Sequence, residues 1–119
     1  MLQCLIVGAG GFVGAVARYL MGMIPIRESA GFPYHTLLIN VIGAFCIGLI
    51  AAFAAKGEID PKWVLFLKVG ICGGFTTFST FALETDTLIG TGQYGLAVAY
   101  ICGSVILSIG AVMLARFFA

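Results

Sequence analysis

The densest group of residues that could do chemistry lies between Gly70 and Phe81, where the chain reads Gly-Ile-Cys-Gly-Gly-Phe-Thr-Thr-Phe-Ser-Thr-Phe. Adjacent glycines and threonines weaken a helix, so this apolar segment is predicted to break near residues 73–77. Inside a membrane, a broken backbone is tolerated only where protein or a polar cavity satisfies its freed groups. Such a break indicates a binding site. Freed carbonyl oxygens, such as those of Gly73 and Thr76, are hard ligands that suit a hard cation like sodium.

Two phenylalanines follow the predicted break. Phe78 and Phe81 are three residues apart and therefore lie on one face of a helix. The edge of an aromatic ring carries partial positive charge, so the pair could face an anion. Phenylalanines in a membrane helix far more often contact lipid or pack in a core, and this pair alone identifies no site.

Other polar residues stand out because they interrupt apolar segments. The amide of Asn40 offers two donors, although a hydrogen bond between helices explains it equally well. Tyr100, Ser104 and Ser108 are spaced by four and share one helix face, where they form a ladder of hydroxyl donors. Serines in membrane helices also bond their own backbone, so this alternative stays open. Arg18 is a candidate for a vestibule that concentrates anions, while an ion pair between helices is its commoner role.

These residues belong to a chain that must lie in lipid. Of its 119 residues, 61% are hydrophobic and only 9% are charged, which is unlike any soluble domain of this size. A spanning helix needs about 20 apolar residues, so four spans leave no room for a separate soluble domain. We therefore predict a single all-α domain over residues 1–119, integral to the inner (plasma) membrane and crossing it several times.

Charges and turn residues mark the ends of the spans. The first apolar segment closes at Arg27 and Glu28, the second at the cluster that begins with Lys56, and the third at Glu84 and Asp86. The four helices are predicted at residues 2–24, 34–55, 62–89 and 94–117, with the third broken near its middle. About three basic residues lie on one side of the membrane and one or two on the other. This bias is too weak to force the chain into one orientation.

The N-terminal segment permits two other interpretations, and we reject both. Residues 5–14, Leu-Ile-Val-Gly-Ala-Gly-Gly-Phe-Val-Gly, look like the glycine fingerprint of a dinucleotide-binding fold, but that motif needs a βαβ unit and no alternating strands follow. A ridge of small residues including Gly10 and Gly14, against which another helix packs, explains the glycines better. A cleaved signal peptide normally has a basic residue before its apolar run, which is lacking here. The four cysteines form no Cys-x-x-Cys pair, so neither redox nor zinc chemistry is expected.

Three motifs, taken in order, carry a resemblance to a known family. They are Gly-Gly-Phe-Val-Gly-Ala-Val-Ala-Arg-Tyr at 10–19, Thr-Leu-Leu-Ile-Asn-Val-Ile-Gly-Ala-Phe at 36–45, and the segment at 70–81 described above. Over essentially its whole length, the chain resembles the Fluc (CrcB) fluoride channels of bacteria and some archaea. The resemblance implies an antiparallel, dual-topology homodimer with two fluoride pathways and a structural sodium ion at its centre.

The resemblance also implies roles for particular residues. Six side chains are assigned to the anion path: Asn40, Phe78, Phe81, Tyr100, Ser104 and Ser108. The sodium ion is assigned to the backbone carbonyls of Gly73 and Thr76. The implied activity is passive export of fluoride that enters the cell as neutral HF, with membrane lipid and a second copy of the chain as partners. Neither enzymatic activity nor a nucleic-acid partner is expected.

Physical considerations agree with this interpretation. Four short helices have too small a cross-section to enclose a pore, so a path must form where copies meet. Fluoride is small and strongly hydrated, so a pore must replace its water with closely spaced donors. The strongest rival class is a small dual-topology, proton-coupled multidrug exporter, which needs a membrane carboxylate, usually in the first helix. The first helix here has none. A structural or assembly subunit would not need aligned donors on three helices.

Overall fold

The computed structural model describes residues 1–26 and 31–119, and the predicted boundary at Arg27 and Glu28 lies outside these ranges. The described residues form helices joined by short turns. The long helices are α1 (Leu2–Gly22), α2 (Tyr34–Ala55) and, after a third span made of several pieces, α5 (Tyr94–Phe118).

The third span is interrupted. Its first half, α3, runs from Pro61–Val64 through a π-helical segment, Leu65–Cys72, to a last α-helical piece, Gly73–Phe75. Thr76 and Thr77 are extended, with ψ angles of 155° and 118°. The span resumes as α4 (Phe78–Gly90).

Four helical segments are long and apolar enough to cross a membrane, and the third covers 30 residues including its break. The predicted all-helical membrane fold is therefore confirmed, as is the interruption of its third helix. The break occupies Thr76 and Thr77, the last two positions of the range in which we expected it.

Local sequence explains where the helices begin and end. The carboxylate of Asp60 accepts a hydrogen bond from the backbone N–H of Lys62 at 2.9 Å, and Pro61 occupies the first helical position, which together start α3. Gly57 and Gly92 adopt positive φ angles of 75° and 79° in the turns after α2 and α4, a conformation that other residues adopt only with strain.

Glycines allow α1 and α3 to pack backbone against backbone. A Cβ added to Gly10 would collide with the carbonyl oxygen of Phe66, and one added to Gly14 would collide with that of Ile71. From the α3 side, a Cβ on Gly74 would lie 2.6 Å from the carbonyl oxygen of Gly11. The predicted small-residue ridge of α1 is therefore a packing surface, and its partner is α3 of the same chain.

The second pair of helices, α2 and α5, packs through Gly48, which lies against Val112 and Ala115. Most large apolar side chains outside these contacts face outward, and the ring of Phe117 is 85% exposed. An apolar exterior of this kind suits a lipid solvent. Residues 5–14 lie within α1, and the described residues contain no strand, so the rejection of a dinucleotide-binding fold is confirmed.

Candidate ion pathway

Asn40 hydrogen-bonds the backbone at the break in the third span. Its Nδ2 donates to the carbonyl oxygen of Thr77 at 3.0 Å, and its Oδ1 accepts from the N–H of Thr77 at 2.8 Å. Both backbone groups of the extended residue are thereby satisfied by one side chain on α2, which is the requirement for broken backbone at membrane depth. The hydrogen bond between helices that was the alternative explanation of Asn40 therefore exists, and its partner is the backbone of the break.

Two hydrogen bonds at the break, one to Asn40 and one to the hydroxyl of Thr77, release two carbonyl groups. In a continuous helix, the N–H of Thr77 would donate to the carbonyl of Gly73, and the N–H of Thr80 to that of Thr76. Here the N–H of Thr77 donates to Asn40, and the N–H of Thr80 donates to the hydroxyl of Thr77 at 3.2 Å. The two carbonyls predicted to hold sodium are thus among those that lose their helical donors at the break.

A cavity of about 440 Å³ opens beside the break, between α2, α5 and the two halves of the third span. Five of the six residues predicted for the anion path line it, together with one of the two predicted sodium ligands: Asn40, Phe78, Phe81, Ser104, Ser108 and Thr76. Tyr100, Gly73 and Arg18 do not line it. The fold thus brings together residues from three segments of the sequence.

Two kinds of group face this cavity. The rings of Phe78 and Phe81 have centroids 5.6 Å apart, and the Phe78 ring is 80% exposed in the single chain. Ser104 is only 8% exposed, and its buried hydroxyl has no hydrogen-bond partner among the described residues. Buried polar atoms almost always have a partner. An unpartnered hydroxyl in a cavity wall therefore indicates a site for a ligand or water.

Tyr100 lies one layer behind the cavity. Its side chain is fully buried, its ring packs against that of Phe81 at a centroid distance of 5.1 Å, and its hydroxyl donates to Glu84 Oε1 at 3.1 Å. The shared helix face with Ser104 is as expected from the spacing, but the hydroxyl points to a carboxylate. In the sequence, Glu84 only marks the end of an apolar segment, because a partner 16 residues away is not visible in a local pattern.

Arg18 lines a second cavity, of about 300 Å³, on the other side of the break. Thr77 and Thr80 form its inner wall, and His35 and Thr36 line it from α2. The guanidinium therefore shares a cavity with the residues that shape the break. This placement suits the predicted vestibule, which stays a prediction.

One charged residue in the third span, Lys68, was not among the predicted functional residues. It falls within the apolar stretch that begins at Trp63, in the π-helical part of α3, and its side chain is exposed in the single chain. An ionisable residue inside a membrane span is by default a candidate for function. That signal was present in the sequence.

The residues that line the main cavity include no charged side chain. Hydrogen-bond donors and ring edges can replace part of the hydration shell of an anion without binding it so tightly that it cannot leave. A cavity wall without a carboxylate offers no group there for exchanging protons against a substrate.

The fold and this cavity define a multi-span membrane protein with an uncharged cavity beside a broken helix, an architecture typical of channels and transporters. The sequence profile of the family described as "CrcB-like protein, Camphor Resistance (CrcB)" matches residues 5–116, and the chain belongs to this family.

Several relatives share most of the chain. A protein of Nitrobacter winogradskyi named "Fluoride-specific ion channel FluC" is 50% identical over 112 residues, which cover 92% of this chain and 88% of that protein. A protein of the same name in Caulobacter vibrioides is 46% identical over 114 residues, which cover 93% of this chain and 90% of that protein. A third protein of this name, in Granulibacter bethesdensis, is 44% identical over 117 residues, which cover 97% of this chain and 92% of that protein. The family resemblance inferred from the three motifs is confirmed.

Replacing Asn40 tests whether one side chain maintains the break. Asn40→Leu leaves the N–H and the carbonyl of Thr77 without partners, so we expect a loss of about 1–3 kcal/mol in the free energy of unfolding. Fluorescence of the single tryptophan, Trp63, can follow thermal unfolding in detergent. Thr87→Val is a matched control, because it removes only an exposed hydrogen bond to the carbonyl of Leu83. Equal unfolding temperatures for the two variants would show that the break does not depend on Asn40.

Proposed function

We propose that this chain is a passive, fluoride-selective channel that lets fluoride leave the cell down its gradient. The observation that carries the proposal is an uncharged, largely apolar cavity with a few hydrogen-bonding side chains beside a broken membrane helix, in a chain whose relatives are named fluoride-specific channels. A channel of this kind is a multi-pass protein of the plasma membrane in bacteria and performs no enzymatic reaction. The alternative of a proton-coupled multidrug exporter has no support in the comparisons or in α1, which carries no carboxylate.

The anion path runs along the cavity wall. Asn40 uses one of its two amide hydrogens for Thr77, so the second is available to an anion. The edges of Phe78 and Phe81 and the hydroxyls of Ser104 and Ser108 add further contacts with positive partial charge. Because fluoride is smaller than chloride, a narrow path of closely spaced donors would favour it over the larger ion.

Tyr100 would extend this path beyond the cavity. Its hydroxyl donates to Glu84 in the single chain. To contact the anion, that hydroxyl has to exchange the carboxylate of Glu84 for the passing ion. The ring contact between Tyr100 and Phe81 would keep the phenol next to the path during this exchange.

The complete channel is an antiparallel homodimer with two anion paths and a central sodium ion. Three features support this part of the proposal. Gly73 and Phe78, on either side of the break, are exposed in the single chain, so a second copy could cover them. The helical donors of the Gly73 and Thr76 carbonyls are diverted, so a second copy could complete an oxygen cage around a hard cation. A two-fold axis in the membrane plane would repeat the cavity, giving two paths.

Reconstituted protein gives the direct test of function. Liposomes that contain it should release fluoride at a rate at least about tenfold above that of chloride, without ATP and without a pH gradient, because the path holds donors and no coupling group. Ion-selective electrodes can record both ions from the same preparation. Equal fluoride and chloride flux would contradict the selectivity, and flux that requires a pH gradient would favour the exporter.

The phenylalanines can be tested for a role in conduction rather than packing. Phe78→Ile or Phe81→Ile keeps similar bulk and should cost less than about 1.5 kcal/mol of stability, but it removes the ring edge. We expect fluoride flux to fall at least about tenfold while the size-exclusion profile stays unchanged. Phe117→Ile is the matched control, since this ring is exposed near the end of α5. Wild-type flux in both folded cavity variants would place the anion path elsewhere.

Orientation and sodium dependence test the assembly. A tag added after Ala119 should be found on both sides of the membrane in about equal amounts, because the basic residues give only a weak bias. Replacing sodium by N-methylglucamine should weaken the dimer, as judged by size exclusion in detergent, because the released carbonyls would lose their ion. A single orientation in conducting vesicles, or a dimer indifferent to sodium, would contradict the corresponding part of the proposal.

A further inference from the structure

Gly43 lies where α2 packs against the first residue of the break. It is buried and follows Asn40 by three residues, on the same face of α2. A Cβ added to Gly43 would collide with the Cγ2 methyl of Thr76, and Cδ2 of Phe75 lies 3.4 Å from the same point. One face of α2 therefore meets both extended residues, with hydrogen bonds from Asn40 to Thr77 and with a bare Cα against Thr76.

The side chain of Thr76 cannot simply rotate away from such a Cβ. Its hydroxyl donates to the carbonyl oxygen of Cys72 at 2.8 Å, while its methyl faces Gly43. Turned by one staggered step, the hydroxyl would take the place of the methyl and collide in turn, and the bond to Cys72 would be lost. Turned by the other step, the methyl would lie on the carbonyl oxygen of Cys72, closer than the separation of about 3.3–3.6 Å at which carbon and oxygen pack. Only one rotamer suits both neighbours, so a side chain at position 43 has to displace backbone.

Such a displacement would disturb the hydrogen bonds between Asn40 and Thr77. Packed carbon atoms lie about 3.5–4.0 Å apart, so α2 and the break would have to separate by on the order of 1 Å. The two bonds to Thr77 are 3.0 and 2.8 Å long, and stretched by that amount both would exceed the range of a hydrogen bond. The N–H of Thr77 could then return to the carbonyl of Gly73, as in a continuous helix. The absence of a side chain at Gly43 is therefore a condition for releasing that carbonyl.

We propose that Gly43 is a positioning residue for the sodium site. Its Cα seats the methyl of Thr76, and this contact, together with the hydrogen bond from Thr76 to Cys72, fixes where the carbonyl oxygen of Thr76 lies. This role rests on the proposed function, in which that carbonyl is a ligand of sodium. Gly43 has no side chain with which to touch the ion, so its effect on the site has to pass through Thr76.

Two substitutions, made singly and together, separate this contact from general packing. Gly43→Ala adds a methyl that collides, and Thr76→Ser removes the methyl with which it collides while keeping the hydroxyl that binds Cys72. In the Thr76→Ser background, the atoms nearest the added methyl are then Cδ2 of Phe75 at 3.4 Å and the Cβ of position 76 at 3.6 Å, which are ordinary contact distances. Gly43→Ala should therefore be harmful beside Thr76 and tolerated in the Thr76→Ser background.

Sodium-dependent stability gives the readout. Thermal unfolding in detergent is followed by the fluorescence of Trp63 while sodium is exchanged for N-methylglucamine at constant ionic strength. The sodium midpoint is the concentration that gives half of the maximal stabilisation. Losing the support of a metal ligand typically costs about 10–100-fold in affinity, so Gly43→Ala should raise the sodium midpoint at least about tenfold. In the Thr76→Ser background, the same substitution should change the midpoint by less than about twofold, as expected of uncoupled substitutions.

Gly48→Ala is the matched control on the same helix. It adds a methyl to another buried glycine of α2, 2.9 Å from Cβ of Ala115 and 3.0 Å from the carbonyl oxygen of Val112 on α5. It should lower the unfolding temperature, because it overpacks the contact between α2 and α5, and leave the sodium midpoint unchanged. If Gly43 served packing alone, Gly43→Ala would behave in the same way.

Fluoride flux from proteoliposomes separates failure of this role from failure of the proposed function. A wild type that conducts no fluoride would overturn the proposed function. A wild type that conducts but whose stability is indifferent to sodium would overturn the sodium site, and with it the role of Gly43. A wild type that conducts and responds to sodium, with an unchanged midpoint in Gly43→Ala, would overturn the role of Gly43 alone.

The double variant decides whether the effect passes through Thr76. A raised sodium midpoint that persists in the Thr76→Ser background would overturn the proposed contact. If Gly43→Ala alone fails to assemble, as judged by size exclusion, the Thr76→Ser background should restore both assembly and the midpoint. Failure to restore them would count against the contact in the same way, because the added methyl would then be colliding elsewhere.

Discussion

The pair of hydrogen bonds between Asn40 and Thr77 is the interaction on which the rest of the site depends. It satisfies the donor and the acceptor of one extended residue, and without it the two ends of the third span would leave polar backbone in an apolar solvent. Because the N–H of Thr77 is engaged there, the carbonyl of Gly73 is released. Because the hydroxyl of Thr77 caps α4 through the N–H of Thr80, the carbonyl of Thr76 is released as well.

The architecture could be predicted from the sequence because the membrane limits the choices. Long uncharged segments, bounded by charges and turn residues, give four spans by length alone. The glycines and threonines of residues 73–77 predicted a break because both residue types disfavour a helix, but Gly73 and Gly74 are helical and only the two threonines are extended. The four-residue spacing of the hydroxyls on α5 correctly placed Ser104 and Ser108 on one face, which the structure turns toward the cavity.

What could not be predicted depends on contacts between distant segments. The partner of Asn40 is 37 residues away and that of Tyr100 is 16 residues away, so neither bond leaves a local pattern. The burial of Tyr100 behind Phe81 is likewise a property of packing between α4 and α5. Lys68 differs from these cases, because a lysine five residues into an apolar run is visible without a structure.

The glycine contact between α1 and α3 also has a consequence for how the chain is made. Gly14 is synthesised sixty residues before Gly74. At a translation rate of about 5–20 residues per second, the small-residue ridge of α1 is therefore made on the order of 3–12 seconds before the part of α3 that packs on it. During that interval the ridge faces lipid, and any other helix with small residues in the right register could occupy it. Attachment to the same nascent chain gives α3 a high effective concentration. Correct pairing therefore depends on α1 remaining near the insertion site until its own α3 arrives.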